Sequence, residues 1–462
     1  MFCQKSLQCS MGMVLAWAAA FTSRWAAAQP AETVPVGVAK VDITPVGPVR
    51  MYGYGSRTTE SEGIAGRLKA AALAIGSDTG EGPAMLLTVD CGAVPTAMRD
   101  EVLRRVQAKV ALKPERFMLC NSHNHSGPDL AGMEGMIGTE HEHLARYAKM
   151  LTDRLEQVVL QALASRQPGS LAWTTGSTGF AANRRVLKDG KWVGFGAVPE
   201  APVDHSLPLL RVSDAQGKML AVVVNYACHN TTLRGDFKGI HGDWAACAQQ
   251  CIEADHPGAV AMVTVGCGAD ADPCPHGTVA LCEQHGRALA DEVKRLLANP
   301  LKPVTPTLTA RMTMLSIPFD WPPPMEELQR RAKNSYPVSR LLKDIQSGEK
   351  PPADRKYQIA TWTFGNDLAM VFLSDEVVVD YALRMKRQFD GSRLWISAYS
   401  NRVAGYVASD RLLKEGGYEV DNSLSAAVSY GRPDWLTPTL EERIVRSVGS
   451  LLPESFRAHG KN

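Results

Sequence analysis

Residues 117–129 read Phe117-Met118-Leu119-Cys120-Asn121-Ser122-His123-Asn124-His125-Ser126-Gly127-Pro128-Asp129. An apolar run leads into a polar segment that Gly127-Pro128 then breaks. The pattern predicts a buried strand over Arg116–His123 with two histidines at its end. Side chains alternate along a strand, so His123 and His125 are expected on the same side. Two imidazoles converging at the mouth of a sheet start a metal site. The plainer reading is a pair of polar residues that find hydrogen bonds at a strand end.

Outward from this stretch the chain alternates strands and helices. Strands are expected at Val36–Ile43, Leu68–Ile75, Ala84–Cys91, Met219–Cys228, Ala259–Cys267, Tyr357–Phe364, Leu368–Leu373 and Leu394–Tyr399. Helices are expected at Ala97–Val110, Glu140–Leu163, Trp244–Ala254, Val279–Leu297, Glu376–Arg387 and Thr439–Leu452. Several strands are continuously apolar, as in sheets covered on both faces. The alternation predicts an α/β fold. Residues 319–356, with Trp321-Pro322-Pro323-Pro324 and Pro351-Pro352, read as a surface excursion.

Other strand ends repeat the opening pattern. The run Val222–Cys228 ends in His229-Asn230-Thr231-Thr232. Gly266-Cys267-Gly268-Ala269-Asp270-Ala271-Asp272-Pro273 is a glycine-rich acidic loop after a strand. There Asp270 and Asp272 are candidates to orient a histidine, bind a metal or act as a base, or else simply to cap the next helix. Val371–Leu373 runs into Ser374-Asp375-Glu376, where acidic residues also suit a helix start. Tyr399, Tyr406 and Tyr418 stand near glycines and are candidates to line a pocket or to pack. His123, His125, His229, Asp270, Asp272 and Glu376 thus all follow apolar strands, and ligands of α/β proteins gather at the carboxyl ends of strands. Histidines plus a carboxylate with one open position are the chemistry of a catalytic zinc. The residues alone predict an α/β metalloenzyme, most simply a hydrolase.

Composition narrows the class. The chain has 462 residues, 45% hydrophobic and 21% charged, with 50 basic and 48 acidic residues. That is an ordinary globular balance, and no basic stripe argues for nucleic acid. Lys5, the 11-residue apolar run Met11–Phe21 and Ala26-Ala27-Ala28 read as a signal peptide over residues 1–28. The expected location is therefore periplasmic or secreted, with no stable membrane span. Ten cysteines occur, which export permits to pair. Cys267, Cys274 and Cys282 flank one loop and are the disulfide candidates, and Cys247 and Cys251 share a helix face.

Taken in order, Val41-Asp42-Ile43-Thr44-Pro45, Met51-Tyr52-Gly53-Tyr54-Gly55, Asn121–Pro128, Asn225–Thr232, Gly266–Pro273, Phe372–Glu376 and Tyr399–Tyr418 resemble the motifs of the neutral/alkaline non-lysosomal ceramidase family. The resemblance runs from about Val36 to Leu452. It implies mixed β-sheets flanked by helices, as one catalytic domain over residues 34–455. It also implies one Zn²⁺ per chain, held by His123, His229, Glu376 and Tyr406. His125 would contact the reacting group, and Arg184 and Tyr418 would polarise the substrate. Two departures stand out. The family's Gly-Asp-x-Ser-Pro becomes Ala269-Asp270-Ala271-Asp272-Pro273, so Asp272 replaces a serine. The family's C-terminal immunoglobulin-like domain is not expected, because the chain stops at Asn462.

The expected activity is hydrolysis of an amide in a small or lipid-like N-acyl substrate by metal-activated water. His125, Arg184 and Tyr418 would stabilise the oxyanion, with Asp272 as base or water holder. Two alternatives stay open: a lyase or hydrolase acting on an acidic carbohydrate, and a ligand-binding homologue without activity.

Overall fold

The apolar runs fold into strands buried on both faces, and alternate residues of one strand feed two different cores. A computed structural model of the chain describes residues 33–131, 138–318, 325–333, 336–349, 354–423 and 439–457. The expected signal segment lies outside these residues. In β2 (Lys69–Ile75), Ala70, Ala72 and Ala74 face helices α1 (Thr96–Gln107) and α2 (Thr139–Ala164). Ala71, Leu73 and Ile75 face a second sheet. Small residues let the helices lie close. At Gly37 of β1 (Val34–Asp42) a Cβ would collide with the carbonyl of Ala162 in α2.

Beside a small sheet of β6 (Ala181–Lys188), β7 (Lys191–Val198) and β11 (Ala271–Pro273) and the short pair β16 (Glu376–Val377) and β18 (Tyr406–Val407), the large sheet continues with β3 (Ala84–Val89), β4 (Phe117–Asn121), β5 (Gln167–Ser177), β8 (Ser206–Asp214), β9 (Met219–Tyr226), β10 (Val260–Val265) and β12 (Lys302–Val304). Its order is β10-β9-β8-β5-β1-β2-β3-β4, with β12 paired to β5. The end pairs β10/β9 and β3/β4 are parallel, and the pairs between them are antiparallel. The outer face at the β9–β10 end is covered by α3 (Asp243–Asp255) and α4 (Val279–Leu297), which bury Trp244, Ile252, Leu289 and Val293.

The second sheet has the order β13-β14-β15-β17. It comprises β13 (Leu308–Pro318), β14 (Asp354–Phe364), β15 (Leu368–Leu373) and β17 (Leu394–Ser397). Trp362, Phe364, Met370, Phe372 and Trp395 fill the space between the two sheets. Each such side chain contributes about 1.5–3 kcal/mol by leaving water. On the far face Ile359, Val371 and Leu373 pack on Tyr381 and Met385 of α7 (Val379–Gln388) and on Ile444 and Val448 of the helix Leu440–Leu451. The layers are helix, sheet, sheet, helix, so the expected α/β class holds, with mixed sheets flanked by helices.

The 319–356 excursion is an insertion at the tip of the β13–β14 hairpin, where Pro318 pairs with Asp354. Its described residues form two helices, Met325–Ala332 and Tyr336–Gln346. Residues 354–356 belong to β14 instead. Among the described residues no helix is long and apolar enough to cross a membrane. The eight described cysteines are free. Cys267 belongs to the core behind the second sheet, Cys282 clusters with Cys247 and Leu233, and Cys274 is exposed. The three disulfide candidates therefore sit in different surroundings.

Candidate functional site

The loops that leave β4, β9, β10, β15 and β17 at their carboxyl ends are tied into one another. Asn124 and Asn230 form a parallel bridge, and the His125 N–H donates to the Asn230 carbonyl at 3.2 Å. The His229 N–H donates to Ala271 at 2.9 Å, Ala398 to Val265 at 2.9 Å, and Ser400 to Leu373 at 3.1 Å. This web brings the histidines, the acidic loop and Glu376 to one place.

The two histidines of the opening motif do not converge by strand alternation. β4 ends at Asn121, and His123 stands beyond it in the left-handed region, with φ 55°. Tyr399 and Asp375, beside the same cluster, also have positive φ, 53° and 66°. Backbone held in this costly region by its surroundings is a mark of functional sites. Gly53 (φ 97°) lies against the His125 ring, which a Cβ there would strike. Arg57 donates to the His125 carbonyl from beneath.

The His123 Nδ1 is 2.8 Å from the Gly92 carbonyl, and the His229 Nδ1 is 3.0 Å from that of Gly268. A carbonyl only accepts, so both Nδ1 atoms carry the hydrogen and both Nε2 atoms present lone pairs. Each Nε2 is 3.1 Å from the same oxygen, Oε2 of Glu376. Two lone pairs facing one carboxylate oxygen in a buried space repel it unless a metal ion, or a proton on an imidazole, stands between them. Four ligands at about 2.0 Å around a tetrahedral ion are separated by about 3.3 Å, so the spacing fits a metal. The metal would also meet the second-shell requirement, since both imidazoles are oriented by backbone carbonyls. Against the upward push of burial, His123 and His229 hold the Glu376 carboxyl well below the usual range. Burial, with Arg184 adding to it, pushes the His229 imidazole down.

The His125 Nε2 is 3.3 Å from the His123 Nε2, and the three histidines together could hold a metal ion. His125 differs from the other two in one respect. Its Nδ1 is buried without a partner among the described residues, and its Nε2 faces the His123 Nε2, so its one ring contact places the hydrogen on Nε2. Burial and the other two imidazoles push it well below its ordinary value. It is the least anchored of the three and lines the adjoining cleft.

Tyr406 reaches the cluster through a two-residue strand pairing. Glu376–Val377 pairs with Tyr406–Val407, with Glu376 opposite Tyr406. Glu376 is therefore not at a helix start; α7 begins at Val379. The Tyr406 ring lies parallel to that of His229, with centroids 6.5 Å apart. Its hydroxyl accepts from Arg184 Nη2 at 3.1 Å.

Arg184 and Arg185 are adjacent in the strand Ala181–Lys188, yet both point inward. A register shift between Asn183 and Arg185 makes this possible. Arg184 also donates to Asp272 at 3.1 Å and to Glu419 at 2.9 Å. Arg185 donates to the other oxygen of Glu419. Tyr418 is 38% exposed and stands edge-on to Tyr406 at 5.5 Å and to Phe195 at 5.2 Å. A cleft of about 560 Å³ is lined by His125, Arg184, Asp272, Tyr406, Tyr418 and Phe195, among others.

The two aspartates of the acidic loop part company. Asp272 accepts from Arg184, from the Thr231 hydroxyl at 3.2 Å and from Arg234 at 3.3 Å. Against burial, Arg184, His229 and Arg234 hold its carboxyl down at about 2. So weak a base does not collect protons at neutral pH, and Asp272 is better placed to orient the arginines. Asp270 turns away. It accepts from the Val379 N–H at 2.8 Å and Asn183 Nδ2 at 3.0 Å, and burial pushes it up to about 6. It fastens α7 to the acidic loop.

Glu419 and Arg234 are not singled out in the sequence, and Tyr399 is read there only as a pocket or packing residue. Glu419 is fully buried between Arg184 and Arg185. Tyr399 lies 4.5 Å from the His123 ring. Arg234 shares Asp272 with Arg184. The available signal was Gly416-Gly417: both have positive φ, and a Cβ at Gly417 would strike Trp192.

The buried histidines and carboxylate define a candidate metal centre on an α/β scaffold. The chain belongs to the neutral/alkaline non-lysosomal ceramidase family, whose N-terminal region it matches over residues 35–288, and so stands among ceramidase-like hydrolases. The fold is similar to that of neutral ceramidase from Pseudomonas aeruginosa, with 19% identity and a TM-score of 0.67 over 93% of this chain and 76% of that one. It is equally similar to a structure of ceramidase complexed with C2, with 18% identity and a TM-score of 0.67 over 93% and 77%.

Proposed function

We propose that the protein is an exported zinc-dependent amidohydrolase that cleaves an N-acyl bond in a small or lipid-like substrate. The observation that carries the proposal is the pair of Nε2 lone pairs at 3.1 Å from one Glu376 oxygen. His123, His229 and Glu376, with Tyr406 beside them, would hold the ion. A zinc ion there supplies Lewis acidity and lowers the pKa of water towards about 7.

The chain's own residues do the rest. Gly92 and Gly268 keep the hydrogens of His123 and His229 on Nδ1. His125, with its hydrogen on Nε2 towards the cluster and its Nδ1 without a partner among the described residues, moves a proton at Nε2. Arg184, anchored by Glu419 and Asp272, presents a fixed cation beside Tyr406 to charge that develops on the acyl oxygen. Tyr418 supplies a second hydroxyl at the cleft wall. Asp272 holds Arg184 in position.

Hydrolysis in ¹⁸O-labelled water tests the reaction. An N-acyl substrate should release an acid carrying one ¹⁸O, chelation should abolish the activity, and zinc should restore it. An unlabelled, unsaturated product would instead identify elimination.

A further inference from the structure

Two guanidiniums share one carboxylate at the cleft, and they are not equivalent. Arg184 is buried, its side chain 8% exposed, and it is bonded to Glu419, Asp272 and Tyr406. The Arg234 side chain is 32% exposed and lines the cleft. Among the described residues its one carboxylate partner is Asp272, at 3.3 Å, and that carboxylate is already taken by Arg184 and Thr231 through its other oxygen. Its other partners are neutral side chains: its Nε donates to Nδ1 of His276 at 3.0 Å, and it hydrogen-bonds Tyr54. Arg234 is therefore held by three side chains yet only partly neutralised, and it lines the cleft. Such a guanidinium suits a ligand carboxylate, which it engages through parallel N–H donors.

The cleft also carries an apolar wall. Phe195 is 54% exposed and packs edge-on against Tyr418. Aromatic rings left open to solvent at a cleft are an anchor for an acyl group. A cationic residue and an aromatic wall in one cleft describe an amphiphile with an acid head.

We propose that Arg234 is a specificity residue that receives a carboxylate on the amine side of the scissile amide, and that the substrate is an N-acyl amino acid rather than a neutral N-acyl amino alcohol. The acyl group lies on Phe195 and Tyr418. This rests on the amidohydrolase reading above. In the reaction the oxygen of water bonds to the acyl carbon and the carbon–nitrogen bond breaks. Its electron pair goes to nitrogen, which takes a proton. The products are a carboxylic acid and a free amino acid. Asp272 fits this assignment as the residue that aims Arg234.

The test uses two probes of equal length, N-dodecanoylglycine and N-dodecanoylglycinamide, with the full zinc-loaded protein. The acid should be cleaved with a kcat/KM about ten- to a hundredfold higher than the amide, through a lower KM. Arg234→Gln should reduce that ratio to about two or less, and Arg234→Lys should restore part of it. Equal kcat/KM for the two probes in the wild type, or an unchanged ratio in Arg234→Gln, overturns the assignment. If neither probe is hydrolysed, the amidohydrolase reading fails, and calorimetric binding of the same probes still decides about Arg234. Preference for the acid that Arg234→Gln removes supports the subsite; equal binding overturns it.

Discussion

The histidine end of the site and its arginine end are both made of loops that leave strands, yet they answer burial in opposite ways. At the histidine end, backbone carbonyls of Gly92 and Gly268 fix the imidazole hydrogens on Nδ1, and Glu376 faces both Nε2 atoms at 3.1 Å. On the proposed reading a metal ion completes that end. At the arginine end, Asp272 is satisfied by Arg184, Arg234 and Thr231. That end is held together by hydrogen bonds at Asp272 and serves to aim side chains, while Arg234 stays partly exposed to the cleft. On the proposed function, the difference separates chemistry from selectivity: the unsatisfied buried cluster would bind the reactive ion, and the satisfied one would shape what can approach it.

The largest effect is expected where the comparison predicts incompleteness. His229→Ala should lower the metal content from one ion per chain to about a tenth, with kcat/KM falling about a thousandfold or more, by elemental analysis and amide hydrolysis. His125→Ala sharpens the point. It should keep the metal and lose about a hundredfold in kcat. If metal is lost there too, His125 is a ligand.

Next comes Asp272→Ala, which strips two guanidiniums of their shared carboxylate. It should cost about 3 kcal/mol by chemical unfolding. The sign with pH follows from its depressed pKa. The folded-state value is about 2 against an ordinary 3.8, so the contribution is present above about pH 4 and is lost as pH falls towards 2. The gap between wild type and variant should close over that interval.

Gly53→Ala should act on His125 alone. Its φ of 97° and the ring against it force a local shift, so kcat should fall about tenfold with metal retained. The smallest effect is expected for Asp270→Asn near pH 4, where the variant keeps an acceptor for the Val379 N–H and matches a protonated Asp270. Here the folded-state pKa is raised, to about 6. The wild type therefore loses stability as pH rises from about 4 to 6, and the variant should not. Relative stability measured at both pH values checks this.

Much of the fold was legible because both faces of its central strands are buried. Continuous apolar runs such as Leu368–Leu373 and Val260–Val265 announce themselves, and Val279–Leu297 was found to its last residue. β5 escaped because its burial alternates and its ends are exposed. The strand Lys191–Val198 escaped because every second residue faces solvent. In the site, residue types were legible and geometry was not. His123 and His125 were paired by strand alternation, whereas the pairing depends on a left-handed φ that no periodicity reports. Glu376 was placed at a helix start, whereas a two-residue strand sets it opposite Tyr406. Asp270 and Asp272 looked alike in sequence, and only tertiary partners separate them. Glu419 was invisible, because nothing local says that a glutamate four residues beyond a short helix meets two arginines from a distant strand.

The central claim is a metal held by His123, His229 and Glu376. Anomalous diffraction at the zinc edge, from crystals grown with one equivalent of zinc, tests it most directly. The account predicts one strong peak about 2.0–2.2 Å from both Nε2 atoms and from the Glu376 carboxylate. No peak there, or zinc bound elsewhere on the chain, would contradict it.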